Sequence, residues 1–183
     1  MKFVALSALV LSGCAWSPSK LPSYGVTSEF QLTSQDGGPF DSKTLAGKIW
    51  VADFIFTTCP GVCPRMTRQM RQIEEATHKM ADVRLVSFTV DPAHDTPAVL
   101  AAYAKEQHVA TEHWFFLTGP QATLHHLARD VFKVGNVDGS LQHSTRFILV
   151  DQKSRIRGYY DTSEADSIHH LIWDIHALGK ERD

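Results

Sequence analysis

The chain has 183 residues, 43% hydrophobic and 21% charged, which are the proportions of an ordinary globular protein and enough length for one domain. Such a composition excludes a disordered chain and a multi-span membrane protein. The formal net charge is −2 and no basic stripe with interleaved aromatics occurs, so the electrostatic footprint of a nucleic-acid binder is missing.

At the amino terminus Lys2 precedes an apolar run from Phe3 to Leu11, and Leu11-Ser12-Gly13-Cys14 follows at once. The run is much shorter than the ~20 apolar residues a membrane-crossing helix needs, so residues 1–13 read as a signal peptide. The four residues ending at Cys14 resemble a bacterial lipobox, at which the new amino-terminal cysteine is diacylated. The expectation is a lipoprotein of a bacterial cell envelope, anchored to the membrane through Cys14 and facing the periplasm or extracytoplasmic side. Residues 14–28, with Pro18, Pro22 and Gly25, lack periodicity and read as a membrane tether. The domain is then expected over 29–183.

Within the domain, Phe30 to Thr33 and the segment near Phe40 flank the turn signal Asp36-Gly37-Gly38, which predicts a β-hairpin. Ile49 to Phe56 is almost continuously apolar, the pattern of a central strand covered on both faces, with Asp53 its one charge. A helix follows the cysteine segment, with Pro64 in its first turn and Met66, Met70, Ile73 and Met80 at helical spacing. Val83 to Val90 reads as a second strand, Thr96-Pro97 as a helix start and Trp114 to Leu117 as a third strand. Leu124, Leu127, Ala128 and Val131 mark one face of another helix. Phe147 to Val150 and Ile156 to Tyr160 flank Gln152-Lys153-Ser154 as an antiparallel hairpin. A last helix is expected from a capping box at Ser163 and Asp166, burying Ile168, Leu171, Ile172, Ile175 and Leu178. This alternation predicts an α/β fold with a central, mostly parallel sheet, flanking helices, an antiparallel carboxy-terminal hairpin and an amino-terminal hairpin. A cysteine pair just past the first central strand is where a thioredoxin-like fold carries its chemistry.

With Cys14 assigned to lipid, Cys59 and Cys63 are too few and too close to staple a fold. Four residues apart at a helix start, they project from one face about 5–6 Å apart at Cβ. That spacing admits a metal between two thiolates, or a disulfide after modest movement. Helix amino termini favour the thiolate, from which both chemistries begin. Soft thiolates select Cu(I), zinc or iron–sulfur units, and two thiolates with one imidazole suit copper in either oxidation state. Of ten histidines, the one in the loop entering the carboxy-terminal hairpin, beside the cysteine loop in a thioredoxin-like topology, is His143.

Three segments in order, Phe56-Thr57-Thr58-Cys59-Pro60-Gly61-Val62-Cys63-Pro64, Val90-Asp91-Pro92-Ala93-His94-Asp95-Thr96-Pro97, and His143-Ser144 ahead of a strand, resemble the SCO/SenC family. The resemblance covers the domain from about Phe30 onward. It implies a copper-binding metallochaperone that delivers copper to, or prepares, the binuclear CuA site of cytochrome c oxidase. On it Cys59, Cys63 and His143 are the metal ligands, holding one copper per chain as Cu(I) or Cu(II), and Asp91 to Pro97 lies near them. The partners it implies are the oxidase subunit carrying CuA, a copper donor chaperone and a thioredoxin-like reductant. The chain departs from the family at Gly61 and Gln142, where acidic residues are common, in the short stretch Gly135 to Gln142, and at Gln152-Lys153-Ser154, where Pro-x-Gly is expected.

The competing reading is an envelope thiol–disulfide oxidoreductase cycling a redox-active Cys59–Cys63 disulfide, with His143 a bystander. Against it, redox thioredoxins use CxxC and put a proline in the loop facing the cysteines. Met66 and Met70 fit a core face better than a ligand set, and the adjacent pairs His125-His126 and His169-His170 diverge on a helix and read as solvated edges. His94 stands in a segment expected near the site.

Overall fold

A computed structural model of the chain describes residues 21–110, 112–135, 137–141 and 144–181. The expected signal peptide, Cys14 and His143 fall outside the described residues. Among the described residues eight strands form one sheet in the order β1-β8-β7-β4-β5-β6-β2-β3. In chain order they are β1 (Gly25–Val26), β2 (Gln31–Ser34), β3 (Pro39–Asp41), β4 (Ile49–Ile55), β5 (Val83–Thr89), β6 (Trp114–Thr118), β7 (Arg146–Val150) and β8 (Arg155–Asp161). The helices are α1 (Val62–Thr77), α2 (Pro97–Glu106), α3 (Gln121–His126) and α4 (Ser167–Lys180).

The seven residues of β4 are all buried, because core layers cover both faces of the strand, which pairs parallel to β5 and antiparallel to β7 along its two edges. Its alternation divides the core. Ile49, Val51 and Ile55 face a layer built by α1, α2 and α4, with Met66, Met70, Leu100, Tyr103, Leu171 and Ile175. Trp50, Ala52 and Phe54 face the other layer, with Phe88, Leu124 and Phe132. By the same period of two, Asp53 belongs to the α1 side. The parallel character is confined to β4, β5 and β6, and antiparallel strands extend the sheet on both flanks. The amino-terminal hairpin joins it through β2, which pairs with β6. Its turn places Gly37 at φ +83°, a conformation that costs a side-chain-bearing residue energy.

Five local features depart from the sequence expectations, the first being that α1 ends at Thr77 and leaves Met80 beyond it. The helix beginning at Gln121 does not run on regularly to Val131, because Leu127–Val131 forms a π turn in which the Phe132 N–H reaches back to the Leu127 carbonyl at 2.8 Å. The wider turn brings Phe132 into the core, 5.9 Å from the Trp50 ring and perpendicular to it. The capping box at Ser163 and Asp166 does not form: the Ser163 hydroxyl goes to Asp161 at 2.7 Å, and Asp166 caps α4 without a side-chain hydrogen bond. Ile172 is half-buried rather than buried. Finally, the segment read as tether is bound to the domain from Leu21 onward. The Arg157 guanidinium donates to the carbonyls of Pro22 at 2.9 Å and Leu21 at 2.7 Å, and Gly25–Val26 pairs with β8 as an edge strand. A two-residue strand carries no periodicity, so composition alone made it look like linker.

Candidate copper and thiol site

The site lies where β4 gives way to α1. The Cys59 N–H donates to the Phe56 carbonyl at 3.3 Å, turning the chain as the strand ends. Gly61 is the N-cap of α1 and offers no side-chain cap; the cap is supplied instead by a cysteine. The backbone N–H of Cys63, in the first turn, donates to the Cys59 sulfur at 3.4 Å, so one of the orphan donors of the helix end faces a sulfur. Cys59 and Cys63 are not joined as a disulfide.

The two cysteines differ in environment. Cys59 is half-buried, whereas Cys63 is 0% exposed. Burial pushes the Cys63 thiol far above the ordinary range; a backbone hydrogen bond with Phe56 opposes this, and Cys59 and Asp53 add to the rise. The expectation that the helix end favours thiolate is overridden by desolvation at Cys63. Asp53 is wholly buried in the same layer. Burial pushes the Tyr103 phenol up to about 12, and Cys63 and Asp53 add to the rise. The Tyr103 hydroxyl meets Thr67 at 2.8 Å, and Thr67 in turn donates to the Cys63 carbonyl at 3.0 Å.

A second carboxylate fixes the cysteine loop from the side. Asp95, 0% exposed, accepts hydrogen bonds from the Thr57 N–H at 3.2 Å, the Thr57 hydroxyl at 2.5 Å and the Thr89 hydroxyl at 2.5 Å. His94 Nδ1 lies 3.1 Å from the same carboxylate. The His94 ring is half-exposed. The Asp91–Pro97 segment is thus next to the cysteine loop. Sequence reading placed this loop near the site but passed over Asp95, although a carboxylate flanked by hydroxyl residues at two strand ends is the signal that marks it.

The remaining residues fall as follows. Met66 and Met70 are 0% exposed within the core. His125 accepts the Val137 N–H at 3.1 Å, His126 pairs with Asp130 at 3.0 Å, and His169 and His170 are exposed. A Cβ added at Gly61 meets nothing within 4 Å, so packing does not demand glycine there. The turn that lacks Pro-x-Gly is held by Asp151, which accepts the N–H groups of Lys153 at 2.9 Å and Arg155 at 3.0 Å. Among the described residues no three His, Cys, Asp or Glu side chains gather as a metal cluster; His143, the expected third ligand, is not among them.

The family model for SCO1/SenC matches residues 19–178. The chain belongs to the SCO1/SenC family. It is similar to a SCO1/SenC family lipoprotein from Bacillus anthracis, with 36% identity, a TM-score of 0.77 and coverage of 85% of this chain and 95% of that one. It is also similar to BsSco, described as a member of the Sco family of cytochrome c oxidase assembly proteins with a disulfide switch, at 30% identity, a TM-score of 0.78 and coverage of 89% and 99%. Copper-bound ScoI of Bradyrhizobium japonicum matches at 25% identity, a TM-score of 0.68 and coverage of 84% and 99%. The thioredoxin-like α/β architecture of these relatives is the one described above.

Proposed function

We propose that this chain binds copper in the assembly of cytochrome c oxidase, taking one copper ion through Cys59, Cys63 and His143 and delivering it to, or preparing, the CuA subunit. The observation that carries this reading is the Cys59–Cys63 pair at the start of α1, Cys59 half-buried and Cys63 buried, in a fold shared with copper-bound relatives. Copper here is cargo. Cu(I) entering between two thiols forms two copper–sulfur bonds and releases two protons, and a soft cation offsets the cost of a buried thiolate that burial alone makes unfavourable. A donor chaperone supplies the ion and a thioredoxin-like reductant keeps the pair reduced. Cys14, lipidated, holds the domain at the bacterial cell envelope. Anaerobic titration of the reduced protein with Cu(I) against a competing chelator tests this: one tight site per chain is expected, and no tight site ends the reading.

A second reading, thiol–disulfide exchange, is favoured by the same inequivalence of the cysteines and by the switch described for BsSco. In it the half-buried Cys59 attacks a partner disulfide, Cys63 resolves the mixed disulfide, and two electrons and two protons pass to the partner. The two readings share one precondition, a reduced pair, and copper loading is the measurement that separates them.

A further inference from the structure

We infer that the outer face of α4, centred on Trp173, rests on the surface of the membrane that carries the chain's own lipid anchor. The inference builds on the proposed lipidation of Cys14. Trp173 is 71% exposed, while Trp50 and Trp114 are 2% and 0% exposed. On α4 it sits between His169, His176 and Lys180 at positions i, i+4, i+7 and i+11, a single stripe opposite the buried Ile168, Leu171, Ile175 and Leu178. No carboxylate lies on that stripe. The nearest, Asp174, faces inward enough to accept the Tyr160 hydroxyl at 2.6 Å.

Covalent reach decides which side of the domain meets the bilayer. Leu21 is fixed to the fold by the Arg157 guanidinium and packs against the core layer that α4 covers. Arg157 also lies 3.9 Å from Glu181 at the end of α4. Seven Cα-to-Cα steps separate Cys14 from Leu21, and an extended chain spans at most about 3.5 Å for each, about 25 Å in all. The sheet runs from β1 at this edge to β3 at the other, seven spacings of about 4.8 Å, or about 34 Å. The β3 edge is therefore out of reach of a bilayer holding Cys14, and the β1–β8 edge, with the end of α4 beside it, is the part of the domain nearest the anchor. So short a tether gives an effective concentration on the order of millimolar. A modest contact then suffices, and an exposed tryptophan ring suits the headgroup level. With α4 lying on the surface, the Cys59–Cys63 loop, at the end of the sheet, opens sideways along the membrane.

The test uses the full lipidated chain carrying Trp16→Phe, reconstituted on vesicles of phosphatidylethanolamine and phosphatidylglycerol with or without brominated acyl chains. Flotation with the vesicles and mass spectrometry of Cys14 report the anchor; tryptophan emission reports the docking. Expected are roughly a twofold quenching by brominated lipid and reduced quenching by aqueous acrylamide, both lost on adding Trp173→Phe, which leaves only buried tryptophans. A chain that floats but whose Trp173 emission and acrylamide access match those of the unanchored protein overturns the docking and leaves the anchor standing. A chain that does not float removes both.

Discussion

The Cys63 N–H donates to the Cys59 sulfur at 3.4 Å while the Cys63 sulfur itself is wholly buried and its thiol pushed far above the ordinary range. One cysteine is thus set to meet reagents, metal or a partner sulfur first, and the other to complete the bond from below. Limited alkylation of the reduced protein, read by peptide mass spectrometry, should label Cys59 at least about tenfold faster than Cys63, since Cys63 is wholly buried and its thiol is pushed up by that burial. Equal labelling of the two would remove the ordering on which both proposed chemistries draw.

Asp95 holds the strand end that leads into the cysteine loop, because its buried carboxylate is the shared acceptor for Thr57 and Thr89. Asp95→Asn keeps the size but replaces one accepting oxygen by a donating amide, so at least one of these donors loses its acceptor. Hydrogen bonds to a charged group contribute about 1.5–3 kcal/mol each, so a loss of that order is expected in urea unfolding. Faster release of Cu(I) to a chelator should accompany it. Wild-type stability and release in the variant would show that the loop is positioned by other contacts.

Much of this was legible in the sequence. The almost continuous apolar run of Ile49 to Ile55, interrupted at Asp53 alone, signals a strand covered on both faces, and Met66, Met70 and Ile73 signal the buried side of α1 because burial imposes a helical period. What escaped depends on tertiary partners that leave no period. Gly25–Val26 is a strand only because β8 offers an edge and Arg157 binds the preceding carbonyls. The π turn after α3 exists to bring Phe132 to Trp50 and Phe88, a demand set by residues far away in the chain. At the site, spacing revealed the cysteine pair, but the split into one half-buried and one buried cysteine follows from the depth of the loop, which spacing does not encode.

Arg157 and Asp151 are both nearly buried, at 3% and 2% exposure, and pair at 2.7 Å. Burial pushes the Asp151 carboxyl upward, but hydrogen bonds from Arg155, Arg157 and the Lys153 N–H outweigh it and leave the group below its usual value. A lowered native value means stability that is present above the ordinary carboxylate value, about 3.9, and lost as pH falls through the native one. Arg157→Ala removes one partner of the buried carboxylate and leaves it Arg155 and two backbone N–H groups, so it should cost about 1.5–3 kcal/mol near neutral pH, the worth of one hydrogen bond to a charged group. Hydrogen exchange should show the N–H groups of Tyr24 and Thr27, bonded to Ile156 and Ser154, losing protection first. Protection unchanged at these two amides would mean that β1 pairing, not the arginine, holds the amino-terminal segment.

His143→Ala separates the two functions proposed for the cysteine pair. As a copper ligand His143 supplies one of three donors, and since even outer-shell changes typically cost 10–100-fold in affinity, loss of a direct ligand should weaken binding at least that much. The loss should be greater for Cu(II), which favours imidazole, than for Cu(I), which two thiolates can retain. In dithiol exchange the same substitution should matter little, because Cys59 and Cys63 still pass between dithiol and disulfide. The expected result is a folded variant with a reducible cysteine pair, Cu(II) binding lost, Cu(I) binding weakened, and failure to support CuA assembly. Oxidising wild type to the disulfide should abolish binding of both ions until a reductant restores it, which ties the metal to the two sulfurs independently of the histidine. A variant that binds both oxidation states like wild type and still supports the oxidase would leave His143 no ligand and give the redox reading the pair.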